Sequence, residues 1–252
     1  MRLAAIFAGL GIAFLAVSSS PVRAQGSDPA KSLFESANQE RAAHDLAPLK
    51  WNPALAGAAQ QHAQRMAAEN TLSHQLPGEP GMVDRASQAG ARFLSLAENV
   101  AKGSTVENVH KKWMNSPLHR ANLLNPHFDS LGIAVTERGG VLFAMEVFSL
   151  AAEDLSLEEQ EGIVSAKLQA RGLRLSSDNQ DARRSCLLDK GYTGSLAPPF
   201  VLHYTKPDLQ TLPEILEQRI RTGSYHTAVV AACSGGAKTG FSQYRIVVLL
   251  YE

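Results

Sequence analysis

The run "SLGIAVTERGGVLFAMEVFS", residues 130–149, constrains the fold of this chain more than any other stretch. Two apolar segments flank the polar "ERGG", and paired glycines suit the positive φ angles of a tight turn. The run reads as an antiparallel β-hairpin, and the segments before it must bury its apolar face. Those segments are helical. "SLFESANQERAAHDLAPLKWNPALAGAAQQHAQRMAAEN" reads as two helices, the first with Leu33, Ala37 and Arg41 on one face and closed by Pro48. Asn52–Pro53 caps the second, whose Leu55, Ala59, Ala63 and Met66 form an i, i+4 stripe.

Residues 71–103 are rich in Pro, Gly and Ser and read as mostly loop. Ser104 and Glu107 suggest a capping box for a short helix with Val106, Val109 and Trp113 on one face. Then comes "MNSPLHRANLLNPHF". Ser116–Pro117 signals another helix start, with a hydroxyl able to cap and a proline that loses nothing in the first turn. His119 then falls in that first turn, where the positive end of the helix dipole disfavours an imidazolium. The order helix, helix, loop, helix, helix, hairpin predicts an α+β unit with helices packed on a small antiparallel sheet.

The chain opens with Arg2, an apolar run and "SSSPVRAQ", which reads as a signal peptide over residues 1–24, with Gln25 first in the mature protein. A retained N-terminal anchor is the alternative. No later run is long enough to span a bilayer. Lys plus Arg and Asp plus Glu number 24 each, so nothing points to nucleic acid or an anionic surface. The expected location is secreted or periplasmic, and the expected state a monomer. In such a compartment the only two cysteines, Cys186 and Cys233, can form one disulfide; two buried thiols are the other reading.

"AAEDLSLEEQ" is a polar junction, after which residues 155–252 read as a smaller α+β domain. Ser156 and Glu159 suggest a capping box for a helix through Ala170. A short helix around "DNQDARRSC", a strand in "PPFVLHYTKP", a helix in "LPEILEQRIRTG" and a final strand pair, "YHTAVVAAC" and "QYRIVVLLY", follow. This order echoes the first unit: Leu46 matches Leu173 and Ile133 matches Val229, spacings of 127 (173 − 46) and 96 (229 − 133). A second copy would be shorter in its middle. An unrelated small α+β domain explains the same pattern.

Taken together, "ANQERAAHDLAPLKWNPALAGAAQQHAQRMAAEN", "LSH", "AENVA", "WMNSPLHRANLLNPHFDSLGIAV" and "FAMEVFS" resemble the CAP superfamily of cysteine-rich secretory, antigen 5 and pathogenesis-related 1 proteins. The resemblance covers residues 32–150, and the scarcity of cysteine is similar to bacterial members. It implies a CAP-type α-β-α sandwich with a cleft lined by His74 of "LSH", His119 of "SPLHR" and Glu98 of "AEN". Ala97 stands where the family's motif has glycine. Many members carry a further glutamate after the tryptophan; here Asn115 and Ser116 occupy that place, and Glu146 is the acid able to compensate.

Two imidazoles with a carboxylate suit a weakly bound divalent cation of the zinc type, His74 and His119 as ligands and Glu98 assisting. A metal-free hydrogen-bonded cluster is the alternative. His62 is expected to pack at a helix flank, Asp84–Arg85 to form a structural ion pair, and His44, His110, His127, His203 and His226 have no visible partner in sequence. No H-E-x-x-H or G-x-S-x-G motif is present, and "CSGGAKTGFS" reads as a hairpin turn, not a phosphate loop. Three functions remain. The first is a binding protein whose cleft and metal engage a ligand, lipid or envelope component. The second is a hydrolase using His119 and Glu98 on metal-bound water, and the third is an interaction module. With one acid missing and no nucleophile in the motifs, binding is favoured over catalysis.

Overall fold

Two prolines start the first two helices. The computed structural model describes residues 28–194, 196–234 and 240–252, and in it α1 (Pro29–Ala43) and α2 (Pro53–Glu69) follow capping side chains. Asp28 accepts from the Ala30 amide, and Asn52 accepts from those of Ala54 and Leu55. Between them lies β1 (Lys50–Trp51), too short to have a sequence signature. Next come α3 (Met82–Gln88), β2 (Phe93–Gly103), α4 (Val106–Asn115), α5 (Pro117–Leu123), β3 (Ser130–Arg138) and β4 (Val141–Ala151). The hairpin forms as expected, turning on Gly139 and Gly140 at φ +58° and +78°.

The sheet runs β1-β3-β4-β2, with β1 parallel to β3 and the other pairs antiparallel. Leu55, Ala59, Ala63 and Met66 of α2 and Ala86 of α3 cover one face, against Val100, Met145 and Val147. On the other face, α1, α4 and α5 bring Leu33, Ala37, Val109, Trp113 and Leu123 against Ala101, Ile133 and Phe148. The result is an α-β-α sandwich. Arg41 is buried within it, its guanidinium donating to the carbonyls of Ala47, Leu123, Asn125 and Phe128. Those bonds tie α1 to the end of α5.

Several local expectations are corrected. Residues 71–103 are not mostly loop, since they contain α3 and the eleven-residue β2. Helices cover both faces of β2, so "FLSLAENVAKG" lacks the alternation of a half-exposed strand. The cap of α4 is Thr105, whose hydroxyl accepts from the Asn108 amide, not the Ser104–Glu107 box. Ser116 does precede α5, but its hydroxyl makes no capping bond.

The second unit has α6 (Leu157–Gln169), β5 (Arg174–Leu175), α7 (Gln180–Ser185), β6 (Phe200–Lys206), α8 (Glu214–Arg221), β7 (Thr227–Ala232) and β8 (Tyr244–Tyr251). The Ser156–Glu159 capping box is present. The sheet order is β5-β7-β8-β6. Val164, Leu168 and Leu216 of α6 and α8 pack on Val230, Ile246 and Val248, while Ala182 of α7 packs on Val229, Val247 and Leu249. Cys186, capping α7, is disulfide-bonded to Cys233, just after β7. No described helix is long and apolar enough to cross a membrane. The signal-peptide reading of residues 1–24 and positions 235–239 of the glycine-rich turn lie outside the described residues.

Candidate functional site

β2 is an edge strand, and Glu98 and Asn99 are neighbours on it, so their side chains leave opposite faces. Glu98 reaches toward α3 and the loop after α2. Its Oε1 lies 2.9 Å from His74 Nδ1, and its Oε2 accepts from the Arg85 guanidinium at 2.8 Å. Asn99 reaches toward α5. Its amide donates to the His119 carbonyl at 3.0 Å and to Glu146 at 3.1 Å, while its oxygen accepts from Asn122 at 2.9 Å. One dipeptide therefore holds the segments bearing both His74 and His119.

His74 has 59% of its side chain exposed, but its backbone is fixed. Arg85 donates to the His74 carbonyl, and one ring nitrogen of His62 lies 2.7 Å from the Ser73 carbonyl. Glu79 completes the support. It accepts from the Leu76 amide, lies 2.8 Å from the other His62 nitrogen, and sits 3.7 Å from Arg85. Burial pushes the Glu79 carboxyl upward, but its bonds to His62 and Leu76 and the nearby positive charge bring it below the usual range.

The polar chain His62–Glu79–Arg85–Glu98–His74 was only partly legible beforehand. His62 is fully buried and hydrogen-bonded, not a flank residue. Its signal was available: it falls at i+4 between Ala58 and Met66 in the apolar stripe of α2, where a polar ring needs partners. Asp84–Arg85 is not the ion pair expected. Asp84 is exposed, and Arg85 pairs with Glu98 and Glu79 because adjacent helical residues diverge. His44 lies against the Glu40 carbonyl, His110 is 3.4 Å from the Glu40 carboxylate, and His203 is 2.7 Å from the Gly191 carbonyl.

His119 is half-buried, and neither ring nitrogen makes a hydrogen bond among the described residues. Its pKa lies below the ordinary histidine value because of burial first and the neighbouring His74 second. The direction matches the sequence expectation; the cause is burial rather than the helix dipole. Asn115 is exposed and Ser116 half-buried, and no side-chain bond joins either to His74, Glu98 or His119. Glu146 is fully buried, one oxygen on Asn99 and the other without a partner among the described residues, and burial raises its pKa to about 8. Sealed from solvent, it does not stand in for the missing acid on an accessible surface.

This arrangement fits a loosely held cation. With His74 Nδ1 on Glu98, Nε2 makes no hydrogen bond among the described residues, and a carboxylate behind a histidine is the usual support for a metal-binding ring. His119 supplies a second, neutral imidazole. No group of three or more His, Cys, Asp or Glu residues converges as ligands among the described residues. Two nitrogens leave part of the coordination sphere to water or a ligand.

The chain matches the family described as CAP, cysteine-rich secretory protein family, over residues 34–150. It is 37% identical over 112 residues to the protein YkwD of Bacillus subtilis (strain 168), covering 44% of each chain. It is 30% identical over 113 residues to the membrane protein YlbC of the same organism, covering 43% of this chain and 32% of that one. The chain thus spans less than half the length of these curated relatives. Among solved structures, an extracellular SCP-domain protein of Bacillus anthracis str. Ames matches with TM-score 0.45 and 30% identity, over 48% of this chain and 40% of that one.

Proposed function

Through residues 34–150 this chain belongs to the CAP family, and from that premise we propose that its His74–His119 cleft holds a labile divalent cation of the zinc type and, with it, a ligand or envelope component outside the cytoplasm. The observation that carries this reading is the Glu98–His74 contact of 2.9 Å, which commits Nδ1 to the carboxylate and leaves Nε2 for a metal. The lowered pKa of His119 keeps the second ring neutral and ready to bind at physiological pH. A divalent cation there would supply a Lewis acid with open positions. Binding fits better than turnover, because both Glu98 oxygens are committed to His74 and Arg85, and Glu146 is sealed from solvent. The Cys186–Cys233 disulfide supports an oxidising compartment.

Calorimetric titration of the full chain with zinc tests this. Wild type should bind with modest affinity, and a His74→Ala/His119→Ala variant should lose the heat. Protons compete with the metal for the same nitrogens, so affinity should fall as pH is lowered. Equal heats for wild type and variant would exclude the site.

A further inference from the structure

The two sheets share one plan down to single backbone hydrogen bonds. Each has a two-residue strand parallel to the first arm of a closing hairpin, and an edge strand antiparallel to the second arm. Lys50 N donates to Asp129 O and Asn52 N to Leu131 O; Arg174 N donates to His226 O and Ser176 N to Ala228 O. Asp129 N donates to Ser149 O as His226 N donates to Tyr251 O. Ser130 therefore corresponds to Thr227, Leu131 to Ala228 and Ser149 to Tyr251. Ile133 falls on Val230, one residue away from the Val229 match suggested by sequence.

The helices obey the same correspondence. At the exit of α1, His44 and Leu46 amides donate to Arg41 O, and Asp45 takes a left-handed φ of +56°. At the exit of α6, Arg171 and Leu173 amides donate to Leu168 O, and Gly172 takes φ +87°. Counted back from that turn, buried Leu33, Ala37 and Arg41 fall on buried Gln160, Val164 and Leu168. Met145 and Val147, under α2, fall on Val247 and Leu249, under α7. Unrelated α+β units can share a strand order; sharing register, helix exit and burial face together is far more restrictive.

We infer that residues 156–251 are a second copy of the same fold, emptied of its cleft and kept as a brace for the cleft wall of the first. The register shows the emptying. Glu98, opposite Val147, falls on Val201, opposite Leu249. Asn99 and Glu146, opposite each other, fall on Leu202 and Val248. Among the described residues no helix stands in for α3 or α5, the carriers of Arg85 and His119. Gly132, where a Cβ would lie 2.2 Å from Ala56 N of α2, falls on Val229. Val229, with Leu249 and Tyr251, lines a cavity of about 520 Å³ there.

The brace is the β7–β8 end of the second copy. Ser87 Oγ on α3, two residues past Arg85, accepts from Gly240 N at 2.9 Å, while its single proton is shared between Val83 O of its own helix at 2.7 Å and Gly240 O at 3.1 Å. Phe93, which begins the strand carrying Glu98, exchanges two hydrogen bonds with Ser242 and meets the Phe241 ring edge-on at 5.5 Å. Both elements that position the Arg85–Glu98 pair are thus gripped by the second copy.

Hydrogen exchange on the full chain tests the brace. In a Ser87→Ala/Phe241→Ala variant, amides of α3 and early β2 should exchange about tenfold faster, with β3 and β4 unchanged. Unchanged exchange in α3 overturns the brace. Zinc affinity should weaken in the same variant, an arm that rests on the cleft reading; if wild type binds no zinc, that reading fails while exchange still decides the brace. The copy itself is tested by couplings through hydrogen bonds in NMR spectra, from the Arg174 amide to the His226 carbonyl and from Ser176 to Ala228. Absence of both overturns it.

Discussion

Glu98 and Asn99 stand side by side on an edge strand and each secures a histidine, Glu98 through the His74 ring and Asn99 through the His119 carbonyl. The alternation of a β-strand makes this possible: consecutive side chains leave opposite faces, so a single dipeptide can serve helices on both sides of the sheet. The placement of both histidines therefore depends on β2 keeping its register against β4, where Asn99 faces Glu146. A one-residue slip would exchange the two roles and disconnect both histidines.

Arg85 is the residue whose loss should cost this support most. Its side chain is 4% exposed and lies between Glu98 and Glu79, themselves 8% and 4% exposed. Arg85→Met would leave two buried carboxylates without their cation and release the His74 carbonyl. Breaking a buried pair from one side costs about 3–5 kcal/mol, so a loss of that order is expected in urea unfolding. Arg85→Lys keeps the charge but not the fork that reaches Glu98, His74 and Pro80 together, and should fall between. A Met variant as stable as wild type would show that the network does not hold the loop.

Much of the fold was legible because its segments follow simple periods. The stripe Leu55, Ala59, Ala63, Met66 and the hairpin at 130–149 obey the spacings of a helix and a two-strand turn, and both form. β2 escaped because it is covered on both faces and interrupted by Glu98 and Asn99, the polar residues that build the site. His74 and His119 stand out in sequence through family motifs, whereas the residues that support His74 do not, since His62, Glu79 and Arg85 meet only in three dimensions. The single-residue error in matching the two hairpins has a similar origin. Apolar runs such as "TAVVAAC" are buried on both faces, so their pattern does not mark register.

The disulfide offers a second test. Cys186 and Cys233 are 47 residues apart in sequence, and closing a loop of that length stabilises by up to about 4 kcal/mol in the chain-entropy account. A Cys186→Ser/Cys233→Ser variant should unfold its second unit at lower temperature, with the loss concentrated around α7 and β7. Thiol titration of unfolded, unreduced wild type should find no free thiol. Two reactive thiols would refute the bond.

Glu146 makes the folded chain less stable as pH rises. Burial raises its carboxyl to about 8 in the folded protein, against an ordinary value of 4.5. Between those values the folded chain keeps a proton that the unfolded chain gives up, so rising pH favours unfolding. The contribution is fully present below about 4.5 and lost as pH climbs to about 8, at about 1.4 kcal/mol per pH unit. Glu146→Gln keeps an oxygen to accept from Asn99 and removes the titration. Relative to wild type, the variant should therefore gain stability between pH 5 and pH 8, by an order of a few kcal/mol. Urea midpoints of both proteins at the two pH values measure the difference, and other titrating groups cancel in the comparison. A gap between variant and wild type that stays constant from pH 5 to pH 8 would mean that the buried carboxyl is already ionised at pH 5.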